Sequence, residues 1–169
     1  MIWQKGFTLV ELVVTIAVLC IVLTIATVSF KDTIWRNQVN TAANDLISAF
    51  NYARSEAVTR SVVVAACRSE NVNETVPSCS TGISGWETGY IVFVDTNGNG
   101  SRDTGEDLLR VFAGPKGNVT MIGDANVANN IRYAATGFLS SGGSGTVEVK
   151  NDSKTIDVVL SQNGRVASD

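Results

Sequence analysis

Residues 7–30 read FTLVELVVTIAVLCIVLTIATVSF, a run of 24 residues whose only charged side chain is Glu11. At about 1.5 Å per residue, a helix of this length is long enough for the ~30 Å hydrocarbon core of a bilayer. Lys5 precedes the run, and the positive-inside rule favours a cytoplasmic N-terminus and an exported remainder. We therefore predict a single membrane-spanning segment. The alternative, a cleaved secretory signal, has only a weak small-residue site at residues 26–29.

The position of Glu11 is unusual for a simple anchor. A carboxylate in an apolar membrane segment costs roughly 2–3 kcal/mol or more and usually marks a partner or a function. One interpretation is that the side chain only reaches the lipid headgroups. The other is that it meets a positive group inside the membrane, where an ion pair specifies packing even when it adds little stability.

The residues around Glu11 resemble a known processing site. The segment KGFTLVEL, residues 5–12, is similar to the N-terminal motif of type IV pilins and type II secretion pseudopilins. The resemblance implies that a prepilin peptidase cleaves between Gly6 and Phe7, removes a leader of residues 1–6 and methylates the new N-terminus at Phe7. It also implies that Glu11 pairs with the α-amino group of a neighbouring subunit during assembly.

The second half of the same helix is amphipathic. No proline or glycine interrupts residues 7–60, so one helix is predicted throughout. Beyond residue 31 its apolar side chains recur every three or four residues in one stripe: Trp35, Val39, Ala43, Leu46, Phe50, Ala53 and Ala57. A one-sided stripe needs a surface to pack against, which predicts a head of residues 31–169 that includes this half of the helix.

Short β-branched or alternating runs follow, separated by clusters of Gly, Asn, Asp and Ser. They predict seven strands: Val62–Ala66, Tyr90–Val94, Leu108–Phe112, Val119–Ile122, Ile131–Ala134, Thr146–Val149 and Ile156–Leu160. Seven short strands and one amphipathic helix predict an α+β fold, in which a long N-terminal helix packs against a β-rich head.

Several segments of this region together resemble one narrower family. They are ARSEAV at residues 53–58, the tryptophan, glycine, apolar strand and aspartate of residues 86–95, and NGRV at residues 163–166. Segments like these occur in the same order in the GspH/FimT family of minor pilins and pseudopilins. The resemblance implies a type IV pilin-like fold.

The three cysteines divide into one residue of the apolar run and one candidate pair. Cys20 lies in the apolar run and is interpreted as a small apolar residue. Cys67 and Cys79 lie in the exported part, which favours a disulfide that closes a loop of about a dozen residues and contributes roughly 3 kcal/mol. Two free thiols are the alternative.

Residues 95–106 read DTNGNGSRDTGE, which fits the pattern D-x-[DN]-x-[DN]-G-x5-E of calcium-binding loops. Strands rather than helices flank this acidic loop, so it is not an EF-hand, and NGNG is also a good hairpin turn. We keep both hypotheses, a plain hairpin and a structural calcium site with a Kd of ~10⁻⁴–10⁻³ M. No other cofactor is expected. The calcium ligands would be Asp95, Asn97, Asn99, Ser101, Asp103 and Glu106, with Gly100 making the turn.

The composition argues against two further classes of function. The chain has no histidine, which excludes a Ser-His-Asp triad and a His-ligated zinc site, and we find no phosphate-binding loop, so we do not expect an enzyme. The 13 Lys+Arg and 16 Asp+Glu give a net charge of −3, which argues against a nucleic-acid-binding protein. FimT-type DNA receptors use a Gly-Arg-x-Arg pattern, whereas this chain has Gly-Arg-Val-Ala at residues 164–167.

The resemblance therefore leads to three functional hypotheses. The first is a minor pilin that helps prime a type IV pilus and is incorporated at or near its tip. The second is a pseudopilin at the tip of a type II secretion pseudopilus, and the third, with the least support, is a DNA receptor for natural transformation. In the first two, the expected partners are other minor pilins or pseudopilins, the major pilin, prepilin peptidase and the bacterial inner membrane, with the head in the periplasm.

Overall fold

The computed structural model describes residues 6–80, 82, 85–140 and 143–169, and for residues 24–29 it describes the backbone alone. Contacts divide the chain into an N-terminal unit, Met1–Ile34, and a head, Trp35–Asp169. Helix α1 (Leu9–Arg60) begins in the first unit and ends in the second. The strands that follow are β1 (Val64–Arg68), β2 (Gly89–Val94), β3 (Leu108–Ala113), β4 (Thr120–Gly123), β5 (Asn130–Tyr133), β6 (Gly145–Lys150), β7 (Thr155–Leu160) and β8 (Val166–Ser168).

The α+β fold is confirmed, and each of the seven predicted strands is present. Their ends move by at most two residues; β1, for example, begins at Val64 instead of Val62. The last strand, β8, was not predicted because it has only three residues and none of them is buried. A short 3₁₀ helix at Trp86–Thr88 was also not predicted.

The N-terminal unit is helical from Leu9 onward, and the large apolar side chains from Phe7 to Leu23 are all more than half exposed. Cys20 is an exposed free cysteine. In the part of the chain that the structure describes, no helix is both long enough and apolar enough to cross a membrane. The predicted span at residues 7–30 includes residues 24–29, whose side chains lie outside the described part, as does most of the predicted leader.

In the head, α1 buries the predicted stripe with one exception. Six of its side chains, from Val39 to Ala57, are at most 1% exposed, and Ala42 and Ala49 broaden the buried face. Trp35 is 41% exposed, so the burial of the stripe does not extend to its first residue. At this turn the head contacts the helix backbone instead, because the Asn151 side-chain amide donates a hydrogen bond to the Trp35 carbonyl (2.8 Å).

The strands form two antiparallel four-stranded sheets. Sheet A has the order β3-β2-β1-β5, and sheet B has the order β4-β6-β7-β8. Every residue of β1 and β2 is buried, which is why both strands have continuous apolar runs. Sheet B is covered on one face, so in β6 the buried Val147 and Val149 alternate with half-exposed Thr146 and Glu148.

The described residues of the head form two clusters of buried apolar side chains, which lie on opposite faces of sheet A. The larger cluster joins α1 to both sheets. The smaller one comprises Ala65, Cys67, Ile91 and Phe93, with Val72, Cys79 and Leu108 packed against them. The segment that contains Val72 and Cys79 therefore covers the second face of sheet A.

Trp86 is a fully buried member of the larger cluster. Its ring makes edge contacts with Phe50 and Tyr90, at centroid distances of 5.2 and 5.9 Å. Its indole N–H donates to the Val127 carbonyl (3.0 Å), which satisfies the one polar atom of the ring. Burial also raises the pKa of Tyr90 and of Tyr133 above the ordinary tyrosine value, so both hydroxyls stay neutral.

Helix α1 ends in a Schellman motif that lacks its usual glycine. The Val62 N–H donates to the Ala57 carbonyl (3.3 Å), and the Ser61 N–H donates to the Val58 carbonyl (3.4 Å). Ser61 has a φ of 56°, the left-handed conformation in which a Cβ is unfavourable.

We expect Ser61→Gly to stabilise the head by about 0.5–1 kcal/mol, because glycine removes the left-handed penalty at the cost of some unfolded-state entropy. Thermal unfolding of the full chain in detergent measures the change. Ser55→Gly, at an exposed position inside the helix, is the matched control and should lose about 0.5 kcal/mol. If both glycines destabilise equally, the strain at Ser61 has been misjudged.

Candidate functional site

The predicted processing site lies just before the first turn of α1. Gly6 and Phe7 precede the helix, so the peptide bond between them is in non-helical backbone. Thr8 caps the helix, since its hydroxyl accepts a hydrogen bond from the Glu11 N–H (3.3 Å). Glu11 therefore lies in the first turn, where the helix dipole favours a carboxylate. The cleavage at Gly6 and the pairing of Glu11 stay predictions.

The acidic loop, residues 95–106, is organised around the carboxylate of Asp95, which follows β2 and is only 1% exposed. Its Oδ1 accepts hydrogen bonds from the N–H groups of Gly98 (2.8 Å) and Asn99 (3.1 Å), and its Oδ2 accepts one from Gly100 (2.9 Å). Gly100 has a φ of 77°, which confirms the turn predicted at this residue.

A second buried carboxylate, that of Glu106, closes the loop. Its Oε1 accepts hydrogen bonds from the Thr96 N–H (2.7 Å) and hydroxyl (2.9 Å), and its Oε2 accepts one from the Asp103 N–H (2.9 Å). The side-chain amides of Asn97 and Asn99 both donate to Oδ2 of Asp103, at 2.7 and 2.8 Å. The loop therefore supplies hydrogen-bond donors to all three of its predicted carboxylate ligands.

The loop brings the predicted calcium ligands together, but most of their side chains form hydrogen bonds with other groups of the same loop. Among the described residues, no group of three or more Asp, Glu, Cys or His side chains is arranged to hold a metal ion. Glu106 already accepts two hydrogen bonds on Oε1, so its predicted binding through both oxygens would have to displace one of them, and the amides of Asn97 and Asn99 would have to turn their oxygens inward. The calcium site and the plain hairpin both stay predictions.

The predicted disulfide is confirmed, with the Cα atoms of Cys67 and Cys79 5.6 Å apart. Arg102 of the acidic loop lies against this bridge, and its N–H donates a hydrogen bond to Sγ of Cys79 (3.2 Å). Its guanidinium donates to the carbonyls of Pro77 (2.9 Å) and Glu106 (3.3 Å). The disulfide loop and the acidic loop are therefore connected parts of one structure.

Arg54, in the ARSEAV segment of α1, contacts two loops of the head, one of which begins the NGRV segment. Its guanidinium donates hydrogen bonds to the carbonyls of Gly137 (2.9 Å) and Asn163 (3.1 Å). Gly164 has a φ of 77°, and a Cβ there would lie 2.0 Å from the Gly137 carbonyl oxygen, so only glycine fits. This contact could not be predicted, because no sequence pattern pairs residue 54 with residues 137 and 163.

We expect Arg54→Ala to destabilise the head by about 1–3 kcal/mol, since two charge-assisted hydrogen bonds to main-chain carbonyls are lost. Thermal unfolding of the full chain in detergent, followed through the near-ultraviolet signal of the buried aromatic side chains, measures the loss. Arg60→Ala is the control, because Arg60 forms an exposed pair with Glu56 on the same helix and should change little. Equal losses in both variants would contradict the role of Arg54.

For the calcium hypothesis, we expect 10 mM Ca²⁺ to raise the stability of the head by about 1–3 kcal/mol at the Kd range given above, by mass action on the folded state. Glu106→Ala should abolish the increase. Equal concentrations of Mg²⁺, which requires a smaller and more regular site, should have a smaller effect. An unchanged melting temperature in Ca²⁺ would instead identify the loop as a plain hairpin.

Two family models match the chain. The model described as type II transport protein GspH matches residues 42–164, and the model described as prokaryotic N-terminal methylation motif matches residues 4–27. The first covers most of the head, and the second covers the predicted processing site. Comparison with curated protein sequences gives no significant match.

Two crystal structures of the type IV minor pilin FimU from Pseudomonas aeruginosa are similar to the chain. The first (space group P21) is 22% identical, covers 79% of this chain and 90% of its own, and has a TM-score of 0.61. The second (space group P65) is 21% identical, covers 77% and 91%, and has a TM-score of 0.58. The fold is thus the type IV pilin fold, and the chain belongs to the GspH family and carries its N-terminal methylation motif.

Proposed function

We propose that the protein is a minor pilin that helps prime assembly of a type IV pilus and is incorporated at or near its tip. The observation that carries the proposal is the combination of a methylation motif at residues 4–27 with a GspH-family head at residues 42–164. In this proposal the N-terminal segment mediates assembly, and the folded head is displayed on the assembled fibre. The family and the fold are those of structural pilins, which supports assembly rather than catalysis.

The N-terminal unit supports this proposal because most of its described apolar side chains are exposed. Thirteen of its described large apolar residues are more than half exposed: Phe7, Leu9, Val10, Leu12, Val13, Val14, Ile16, Val18, Leu19, Ile21, Val22, Leu23 and Phe30. An apolar surface this continuous marks an interaction site. We propose that it lies in the bacterial inner membrane before assembly and against the helices of other pilins afterwards.

The second candidate is a pseudopilin of a type II secretion system, and the description of the GspH model as a type II transport protein favours it. The likeness to FimU, a type IV minor pilin, favours the pilus. Complementation separates the two: a deletion strain loses surface pili in the first case and loses secretion of exported enzymes in the second.

The third candidate, a DNA receptor, has less support than the other two because the arginines that it would need are missing or already hydrogen-bonded. Arg165 is exposed, but Ala167 stands at the position of the second arginine of the Gly-Arg-x-Arg pattern, and Arg54 donates hydrogen bonds to two carbonyls. DNA affinity depends on several phosphate contacts. A gel shift with the full chain in detergent at low salt tests this function, and clear binding would revive it.

We expect Glu11→Leu to leave leader cleavage intact, since Gly6 is unchanged, and to reduce incorporation into the fibre. The reason is that the mature N-terminus of a partner subunit would lose the carboxylate that neutralises it in an apolar environment. The measurement is complementation of a deletion strain, with counts of surface pili and mass spectrometry of the membrane form, which should begin at methylated Phe7.

Gly6→Val is the processing control, because the added side chain should block cleavage and leave the leader attached. Wild-type pilus counts with Glu11→Leu would contradict the role of Glu11 in assembly. A full-length wild-type chain in cells with an active prepilin peptidase would contradict processing itself.

A further inference from the structure

The acidic loop contains two Asn-Gly dipeptides, Asn97-Gly98 and Asn99-Gly100. Asparagine is a thermolabile residue, and glycine after it offers no side chain to hinder attack on its amide. In that reaction the glycine main-chain nitrogen loses its proton and bonds to Cγ of the asparagine, while the bond from Cγ to the side-chain nitrogen breaks and ammonia leaves. Water then opens the five-membered succinimide to aspartate or isoaspartate.

One carboxylate holds both of the nitrogens that would attack. Oδ1 of Asp95 accepts the hydrogen bond of the Gly98 N–H at 2.8 Å, and Oδ2 accepts that of the Gly100 N–H at 2.9 Å. Asp95 is 1% exposed, so water does not compete for these contacts. Neither glycine nitrogen is therefore free to lose its proton to base in solution while the loop keeps this structure.

The charge of Asp95 acts in the same direction as its hydrogen bonds. Loss of a proton from either glycine nitrogen would place a second negative charge beside a buried carboxylate, where solvent screens the repulsion poorly. The side-chain nitrogens that would leave as ammonia are held as well, since Asn97 and Asn99 both donate to Oδ2 of Asp103.

We propose that Asn97 and Asn99 are latent deamidation sites and that Asp95 protects both of them from succinimide formation. This role concerns the chemical durability of the head and is independent of the proposed function. A third Asn-Gly pair in the chain, Asn163-Gly164, provides an internal reference. The Gly164 N–H donates to the neutral Ser161 carbonyl (2.8 Å), outside the acidic loop.

The test compares the wild-type full chain in detergent with Asp95→Ala and Glu106→Ala during incubation in mildly alkaline buffer. Both variants remove a buried carboxylate of the same loop. Glu106, however, accepts hydrogen bonds from the N–H groups of Thr96 and Asp103, and neither nitrogen is the one that would attack Asn97 or Asn99. Peptide mapping by mass spectrometry measures the gain of about 1 Da at each asparagine, and isoaspartate is scored separately.

We expect Asp95→Ala to raise the deamidation rate of Asn97 and Asn99, relative to that of Asn163, on the order of tenfold or more, because a charge-assisted hydrogen bond to each nucleophile is lost. Glu106→Ala should leave this ratio near the wild-type value. The ratio also corrects for general unfolding, which would expose Asn163 equally.

Asp95→Asn is the milder second variant, since it keeps the size of the side chain and should raise the same ratio by a smaller factor. An unchanged or lower ratio in both Asp95 variants would overturn the proposal. An equal rise in Glu106→Ala would also overturn it, because loosening of the loop would then account for the reaction without any role for Asp95.

Discussion

The head depends on one constraint, that β1 and β2 are buried on both faces. Strands of this kind contribute no solvated surface, so both of their faces must be covered. The amphipathic half of α1 lies in the cluster on one face, and the segment closed by Cys67–Cys79 covers the other. In the segment between the two cysteines, Val72 packs against the buried side chains of sheet A. The disulfide adds a covalent link that holds this short segment on the sheet.

Four charged residues of the head stabilise this architecture through hydrogen bonds. Arg54 ties α1 to two carbonyls, Arg102 joins the disulfide loop to the acidic loop, and Asp95 and Glu106 satisfy main-chain donors inside that loop. A buried carboxylate is tolerated where it accepts several such hydrogen bonds. The acidic loop has the sequence of a metal site, yet its carboxylates are already satisfied by the chain itself.

Local patterns in the sequence predicted the elements, and contacts between distant residues could not be predicted. Periodicity placed the stripe of α1 and the strands, because each depends on neighbours within a few residues. The position of β1 between β2 and β5 and the carbonyl partners of Arg54 arise from long-range packing, which leaves no local signal. The exposure of Trp35 was not predictable for the same reason, since helical spacing shows which face a residue shares but not where the sheets end.

The connectivity of sheet A sets an order in which the head can form during synthesis. Cys67 and Cys79 are separated by 12 positions, and β1 pairs with β2, so the bridge and the first hairpin need only the chain up to residue 94. The other edge of β1 pairs Val64 with Tyr133, and that partner emerges far later. Until then β1 is an open edge, prone to pairing with the wrong chain. A disulfide that forms early would limit such mispairing, because it holds the Cys67 end of β1 against the segment that contains Cys79.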